Sequence, residues 1–126
     1  MENIRTLFFD TYALFEIIEG NQSYREQYTI GVAIVTTRLN LMELHYGLLA
    51  KYRKEEADRY YDRLLEFTVE ITDNIIKSAS EFRLSLKKRD LSYIDCIGYI
   101  LARSRGIKFL TGDRQFEDLE GVEFVK

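Results

Sequence analysis

Residues 107–116 read Ile107-Lys108-Phe109-Leu110-Thr111-Gly112-Asp113-Arg114-Gln115-Phe116. A short apolar run, 107–110, stops at a turn that ends in an acid. It is preceded by a segment of helical spacing, 92–105, closed by Gly106. Helix, glycine, strand, turn is the grammar of an α/β unit, and a glycine just past a helix is its usual stop. The same grammar opens the chain. Residues 5–9 form an apolar run, Asp10 ends it, and 11–19 carry Ala13, Leu14, Ile17 and Ile18 at helical spacing before Gly20-Asn21.

Between these two units the pattern repeats. Residues 21–29 are polar and poorly patterned, and 32–35 read as a second strand. Helical spacing runs over 39–52, with Leu41, Leu44, Leu48 and Leu49 apolar. Residues 54–67 form a charged amphipathic helix carrying Tyr60, Tyr61, Leu64 and Leu65; 68–71 read as a brief third strand, and 73–87 as a helix with Asp73 at its N-cap. With 107–110 fourth and 122–125 fifth, the expectation is an α/β fold: a doubly wound, five-stranded parallel sheet with helices on both faces. Ligands of such sheets bind beyond the carboxyl ends of the strands.

The chain's 126 residues suffice for one domain, 1–126, and leave no room for two. Hydrophobic residues make up 46% and charged residues 31%, the balance of a globular protein with a proper core. No apolar run is long enough to span a membrane or to act as a signal peptide, and Cys96 has no cysteine to pair with. Both features lead us to expect a cytoplasmic location and no membrane partner. With 21 acidic and 18 basic residues the net charge is −3, which argues against non-specific coating of nucleic acid. The cations are nonetheless clustered: Lys51, Arg53 and Lys54; Lys87, Lys88 and Arg89; Arg103, Arg105 and Lys108. The first two clusters read either as solvated helix ends or as a phosphate track.

Four acids interrupt apolar runs at strand ends and helix starts. Asp10 follows the first strand, Asp113 the fourth, Asp95 lies in the first turn of the 92–105 helix, and Glu43 lies early in the 39–52 helix. Each has an ordinary explanation. Asp10 can be a helix cap, Asp95 the reciprocal partner of Ser92 in a capping box, Asp113 a turn residue, and Glu43 a solvent-facing helix residue. Together they are harder to dismiss. Two carboxylates ~4 Å apart repel by roughly 4 kcal/mol at an effective dielectric of 20, so a cluster needs a cation or shared protons. An all-oxygen donor set favours Mg²⁺ or Mn²⁺, the ions that phosphodiester hydrolysis uses.

These residues resemble the PIN-domain family. Leu7-Phe8-Phe9-Asp10-Thr11 is similar to the family's first motif, and Thr37 to Gly47, with Met42-Glu43-Leu44, to its second. Leu91 to Asp95, then Ala102, Gly106 and Phe109 to Phe116, supply the third and fourth acids, Asp95 and Asp113. The resemblance implies a Mg²⁺ or Mn²⁺ site made of Asp10, Glu43, Asp95 and Asp113, which would be the catalytic residues of an endoribonuclease. It also implies a VapC-like toxin, held by a cognate antitoxin and forming a homodimer. Thr11 and Arg114 are the candidate RNA-binding residues. The family often carries Ser or Asn two residues after the first acid; here that position is Tyr12. This departure sustains an alternative, an inactive PIN-like scaffold serving as a protein-interaction module. A phosphatase or phosphotransferase on a doubly wound sheet is a poor fit, because position 12 is not a second Asp.

His45, the only histidine, stands two positions from Glu43 and reads as a surface or satisfied group. Cys96 reads as core. Tyr46, Tyr52, Tyr60 and Tyr61 fall at helical spacing and read as core or interface packing. The helices of 39–67 are the expected partner surface.

Overall fold

The computed structural model describes residues 4–126. Strand β1 (Arg5–Phe9) leads through Asp10 into helix α1 (Thr11–Glu19), followed by α2 (Gln22–Tyr28) and β2 (Val32–Val35). Next come α3 (Arg38–Lys51), α4 (Lys54–Leu64), α5 (Asp73–Ser85) and α6 (Tyr93–Arg105), and finally β3 (Lys108–Thr111) and β4 (Val122–Phe124). All pairings are parallel and the strand order is β2-β1-β3-β4. The chain leaves β1 in both directions, to β2 on one side and β3 on the other. The carboxyl ends of β1 and β3 therefore frame the point where the winding reverses, the favoured ligand position of an open α/β sheet.

The sheet has four strands, not the five expected. Residues 68–71 make only a single bridge, Thr36 to Thr68, with Thr36 N–H donating to Phe67 O (3.1 Å) and Val69 N–H to Thr36 O (3.0 Å). The reason is the neighbouring edge. β2 ends at Val35, Thr36 is its last extended position, and Thr37 already caps α3, so no further backbone is offered for pairing. Other boundaries shift too. The polar stretch 21–29 contains α2, capped by Asn21 and anchored by two buried tyrosines, Tyr24 and Tyr28. Thr72, not Asp73, caps α5, its hydroxyl accepting from Ile75 N–H, and that helix ends at Ser85. The 54–67 helix gives way to a 3₁₀ turn at Leu65–Phe67.

Alternation along the strands divides the core. Leu7, Phe9 and Leu110 face a cluster built with Leu14, Tyr24, Leu41, Leu44 and Leu48 from α1, α2 and α3. Phe8 and Phe109 face the other side, against Ala79, Cys96, Tyr99, Leu101 and Phe116. There Phe8 stacks on Phe109, with ring centroids 5.6 Å apart. Two helical glycines mark the tightest contacts. A Cβ on Gly47 of α3 would lie 2.2 Å from the Phe15 ring of α1, and one on Gly98 of α6 2.7 Å from the Phe8 ring. A mid-helix glycine costs about 1 kcal/mol against alanine; here it buys close approach of helix to helix and helix to sheet. Gly47→Ala should therefore destabilise the fold by about 1–3 kcal/mol through overpacking, despite its better helix propensity. A chemical-denaturation midpoint equal to or above that of the parent would contradict this packing.

Candidate active site

Three aspartates arrive at the switch point from three elements, each placed by a local backbone need. Asp10 caps α1, Oδ1 accepting from Ala13 N–H (2.8 Å). Asp95 completes the capping box of α6: its N–H donates to Ser92 Oγ (3.0 Å) and its Oδ2 accepts from Ser92 N–H (3.1 Å). Asp113 caps the 3₁₀ turn Arg114–Phe116, Oδ1 accepting from Gln115 N–H (3.0 Å). The ordinary readings are thus correct as local structure, and they do not exhaust these side chains. Asp95 Oδ1 and Asp113 Oδ2 accept no hydrogen bond from the described residues.

Asp10, Asp95 and Asp113 line one cavity of about 410 Å³ together with Thr11, Tyr12, Arg114 and Lys126. Glu43 is not on that lining. It stands behind Thr11, whose hydroxyl donates to Glu43 Oε1 (2.6 Å) and accepts from Asn40 Nδ2 (3.2 Å). Asn40 is fixed in turn by Thr37, the cap of α3, whose hydroxyl donates to Asn40 Oδ1 (2.6 Å). The Thr11 hydroxyl is committed to this network. Sequence reading missed Asn40, Thr37 and Lys126; the Thr37-x-x-Asn40 spacing at a helix start was the available signal for the first two.

Electrostatics couples the acids. Burial first, and then the charges of Asp95 and Asp113, push the Asp10 carboxyl up to about 7, against the Thr111 hydroxyl and the Ala13 N–H, which favour its charge. Asp95 is also raised, by burial first and then by Asp113 and Glu43. Four carboxylates therefore sense one another across the end of the sheet. Among the described residues, however, no three acidic, histidine or cysteine groups converge closely enough to cage a metal ion. The two observations fit an open site: Mg²⁺ is commonly held by one or two carboxylates, the rest of its shell being water and substrate phosphate. The all-oxygen donor set and the raised proton affinity of Asp10 suit such a cation.

The cavity wall explains Gly112 and Tyr12 together. A Cβ on Gly112 would lie 2.1 Å from the Tyr12 ring and 2.6 Å from Val125 O, so the ring lies flat on bare backbone. Lys126 Nζ sits 5.3 Å from the centroid of that ring and donates to Gly112 O (3.4 Å). Tyr12 is thus wall rather than plug, and the cavity stays open beside it. His45 is spent elsewhere, with Nε2 2.7 Å from Asp58 Oδ1. Cys96 is buried, and burial pushes its thiol up to about 11, which leaves it inert.

The chain matches the PIN domain family over residues 7–122 and belongs to that family. Its fold is shared by solved toxin–antitoxin proteins. VapC20 of Mycobacterium tuberculosis, described as a sarcin–ricin loop cleaving toxin, superposes with a TM-score of 0.79 at 18% identity, over 95% of this chain and 99% of that one. A toxin–antitoxin complex from Klebsiella pneumoniae gives a TM-score of 0.74 at 21% identity over 93% and 95%. VapBC2 of Rickettsia felis, bound to a DNA fragment from its promoter, gives 0.74 at 17% over 95% and 97%. Curated protein sequences give no match.

The raised Asp10 carboxyl ties stability to pH. The folded state holds this proton up to about 7 and the unfolded chain only to 3.8. The stabilisation is complete below 3.8 and is lost as pH rises to about 7, an upper bound of about 4 kcal/mol. Asp10→Asn keeps an acceptor for the Ala13 cap and removes the charge. Without divalent cations at pH 8 it should raise Tm by several degrees, with the advantage vanishing toward pH 4. A variant no more stable than the parent at pH 8 would show that Asp10 carries no burial cost.

Proposed function

We propose that this protein is a Mg²⁺- or Mn²⁺-dependent endoribonuclease and the toxin of a toxin–antitoxin pair. The observation that carries this reading is the meeting of Asp10, Asp95 and Asp113 in one cavity at the β1/β3 switch point, rimmed by the cations Arg114 and Lys126. An acid cluster with one buried and two half-buried members suits a divalent cation, and an acid cavity with a basic rim suits a phosphodiester. The solved neighbours, which include a sarcin–ricin loop cleaving toxin and toxin–antitoxin complexes, support the same reading.

A bound divalent cation would supply electrophilic activation of the phosphoryl group and of water. The free oxygens of Asp95 and Asp113, with Asp10 between them at the strand end, would hold it. Thr11 orients Glu43 and is itself oriented by Asn40, leaving Glu43 Oε2 without a donor from the described residues for use at the edge of the site. Arg114, whose Nη1 lies 3.5 Å from Glu117, and Lys126 offset phosphate charge that the acids alone would repel. Among the described residues no helix is long and apolar enough to cross a membrane, and the reading places the protein in the cytoplasm.

The reading brings two protein partners, an antitoxin and a second copy of the chain. The sequence pointed to the helices of 39–67 as the partner surface; within them Tyr60 and Tyr61 are half-buried against the first core cluster. The exposed apolar face of this region is on α3, where Met42, Tyr46 and Leu49 are 57%, 75% and 42% exposed. That face is the proposed antitoxin surface.

The purified protein should cut structured RNA with Mn²⁺ or Mg²⁺ and stop when a chelator is added. Asp95→Asn and Asp113→Asn each remove part of several kcal/mol of transition-state stabilisation and should slow cleavage roughly a hundredfold or more, with unchanged circular dichroism. Cleavage persisting at the parent rate in both variants would end the proposal.

A further inference from the structure

A second pocket lies between α5 and the start of α6, whose first turn contributes Tyr93 to this pocket and Asp95 to the aspartate cavity. It has a volume of about 270 Å³ and is lined by Ser80, Arg83, Leu84, Lys87, Arg89 and Tyr93. In a chain of net charge −3, three cations around one small pocket are a local reversal of sign. Two of them are rigid. Arg83 Nε donates to Leu91 O (3.0 Å). Arg89 forks onto Asp118 (2.7 and 2.8 Å) and donates to Gln115 O (2.6 Å). Lys87 forms no ion pair with any described residue, so its ammonium is uncommitted.

Tyr93 is the first residue of α6, two positions before Asp95 in sequence, and its side chain is left in solvent at 65% exposure. The Arg83 guanidinium carbon lies 4.3 Å from its ring centroid. A large aromatic residue gains nothing for the core from that position. An arginine braced by a backbone carbonyl fixes the ring's orientation, and the ring offers its outer face. Fixed aromatic faces beside cations are how single-stranded nucleic acid is held without sequence readout.

We propose that this pocket is an RNA subsite next to the scissile position, in which a base flanking the cut stacks on Tyr93 while its phosphate meets Lys87 and Arg83. The proposal rests on the ribonuclease reading of the aspartate cavity. It assigns the Lys87–Arg89 cluster a divided role: Arg89 braces the loop that carries Asp118, and Lys87 faces the strand. An acidic peptide would satisfy the cations, but it would leave unexplained why an exposed ring stands at the start of the helix that carries Asp95.

The test uses the full chain carrying Asp113→Asn, so that a single-stranded RNA probe stays intact, with cleavage by the unsubstituted protein followed in parallel. Tyr93→Ala should weaken probe binding about tenfold or more, and Tyr93→Phe, which keeps the ring, should restore it to within a few-fold. Lys87→Gln should flatten the salt dependence of binding by about 0.7 in the log–log slope, one phosphate contact. A probe carrying 5-iodouridine should crosslink to Tyr93 on irradiation. If the unsubstituted protein cleaves RNA while Tyr93→Ala and Lys87→Gln bind the probe like their parent, the subsite is refuted and the nuclease stands. If the parent neither binds nor cleaves, both fall. Loss of a copurifying protein partner with RNA binding unchanged would make the pocket a protein-docking surface and overturn the proposal.

Discussion

Burying the Asp10 carboxylate in one cavity with two others is a costly arrangement, and much of the surrounding structure can be read as its support. A lone buried carboxylate would protonate or draw water. Here the Ala13 N–H and the Thr111 hydroxyl favour its charge while burial, Asp95 and Asp113 oppose it. The parallel pairing of β1 with β3 brings these groups together, Asp10 N–H donating to Leu110 O (3.3 Å) at the strand end. A protein selected for stability alone would place an uncharged residue there.

The two-sided core makes that position rigid. Phe9 and Leu110 pack toward α1 and α3 while Phe8 and Phe109 pack toward α6, so neither β1 nor β3 can slide by one residue without turning every core side chain to the wrong face. Gly47 lets α3 approach α1 closely enough that Thr11, Glu43 and Asn40, from α1 and α3, meet in one hydrogen-bonded chain. The close of the chain completes the wall: Tyr24 OH donates to Val125 O (2.5 Å), and Lys126 lies over Tyr12.

Much of this was legible in the sequence, for definite physical reasons. Strand β1, strand β2 and helix α1 have the bounds that periodicity gave them, because apolar runs ending in Asp10, Val35 and Gly20 carry their own punctuation. Asp10, Asp95 and Asp113 were visible as acids at element boundaries, and capping and cavity roles proved compatible because a carboxylate has two oxygens. The absence of the expected third strand was not legible. Val69 and Ile71 have strand-like alternation, but pairing depends on how far β2 continues, which is a property of Thr37 and not of residues 68–71. Helix α2 was hidden because Tyr24 and Tyr28 bury the only face it has while the rest is polar. Lys126 was invisible as a cavity residue because it reaches the site only through β4.

The most direct test of the account is where a divalent cation binds. Crystals soaked in Mn²⁺ and measured at the manganese absorption edge should show an anomalous peak in the Asp10–Asp95–Asp113 cavity, in contact with Asp95 and Asp113, and none in crystals of Asp113→Asn. A peak elsewhere on the molecule, with that cavity empty at saturating Mn²⁺, would contradict the claim that the buried acids exist to hold a cation.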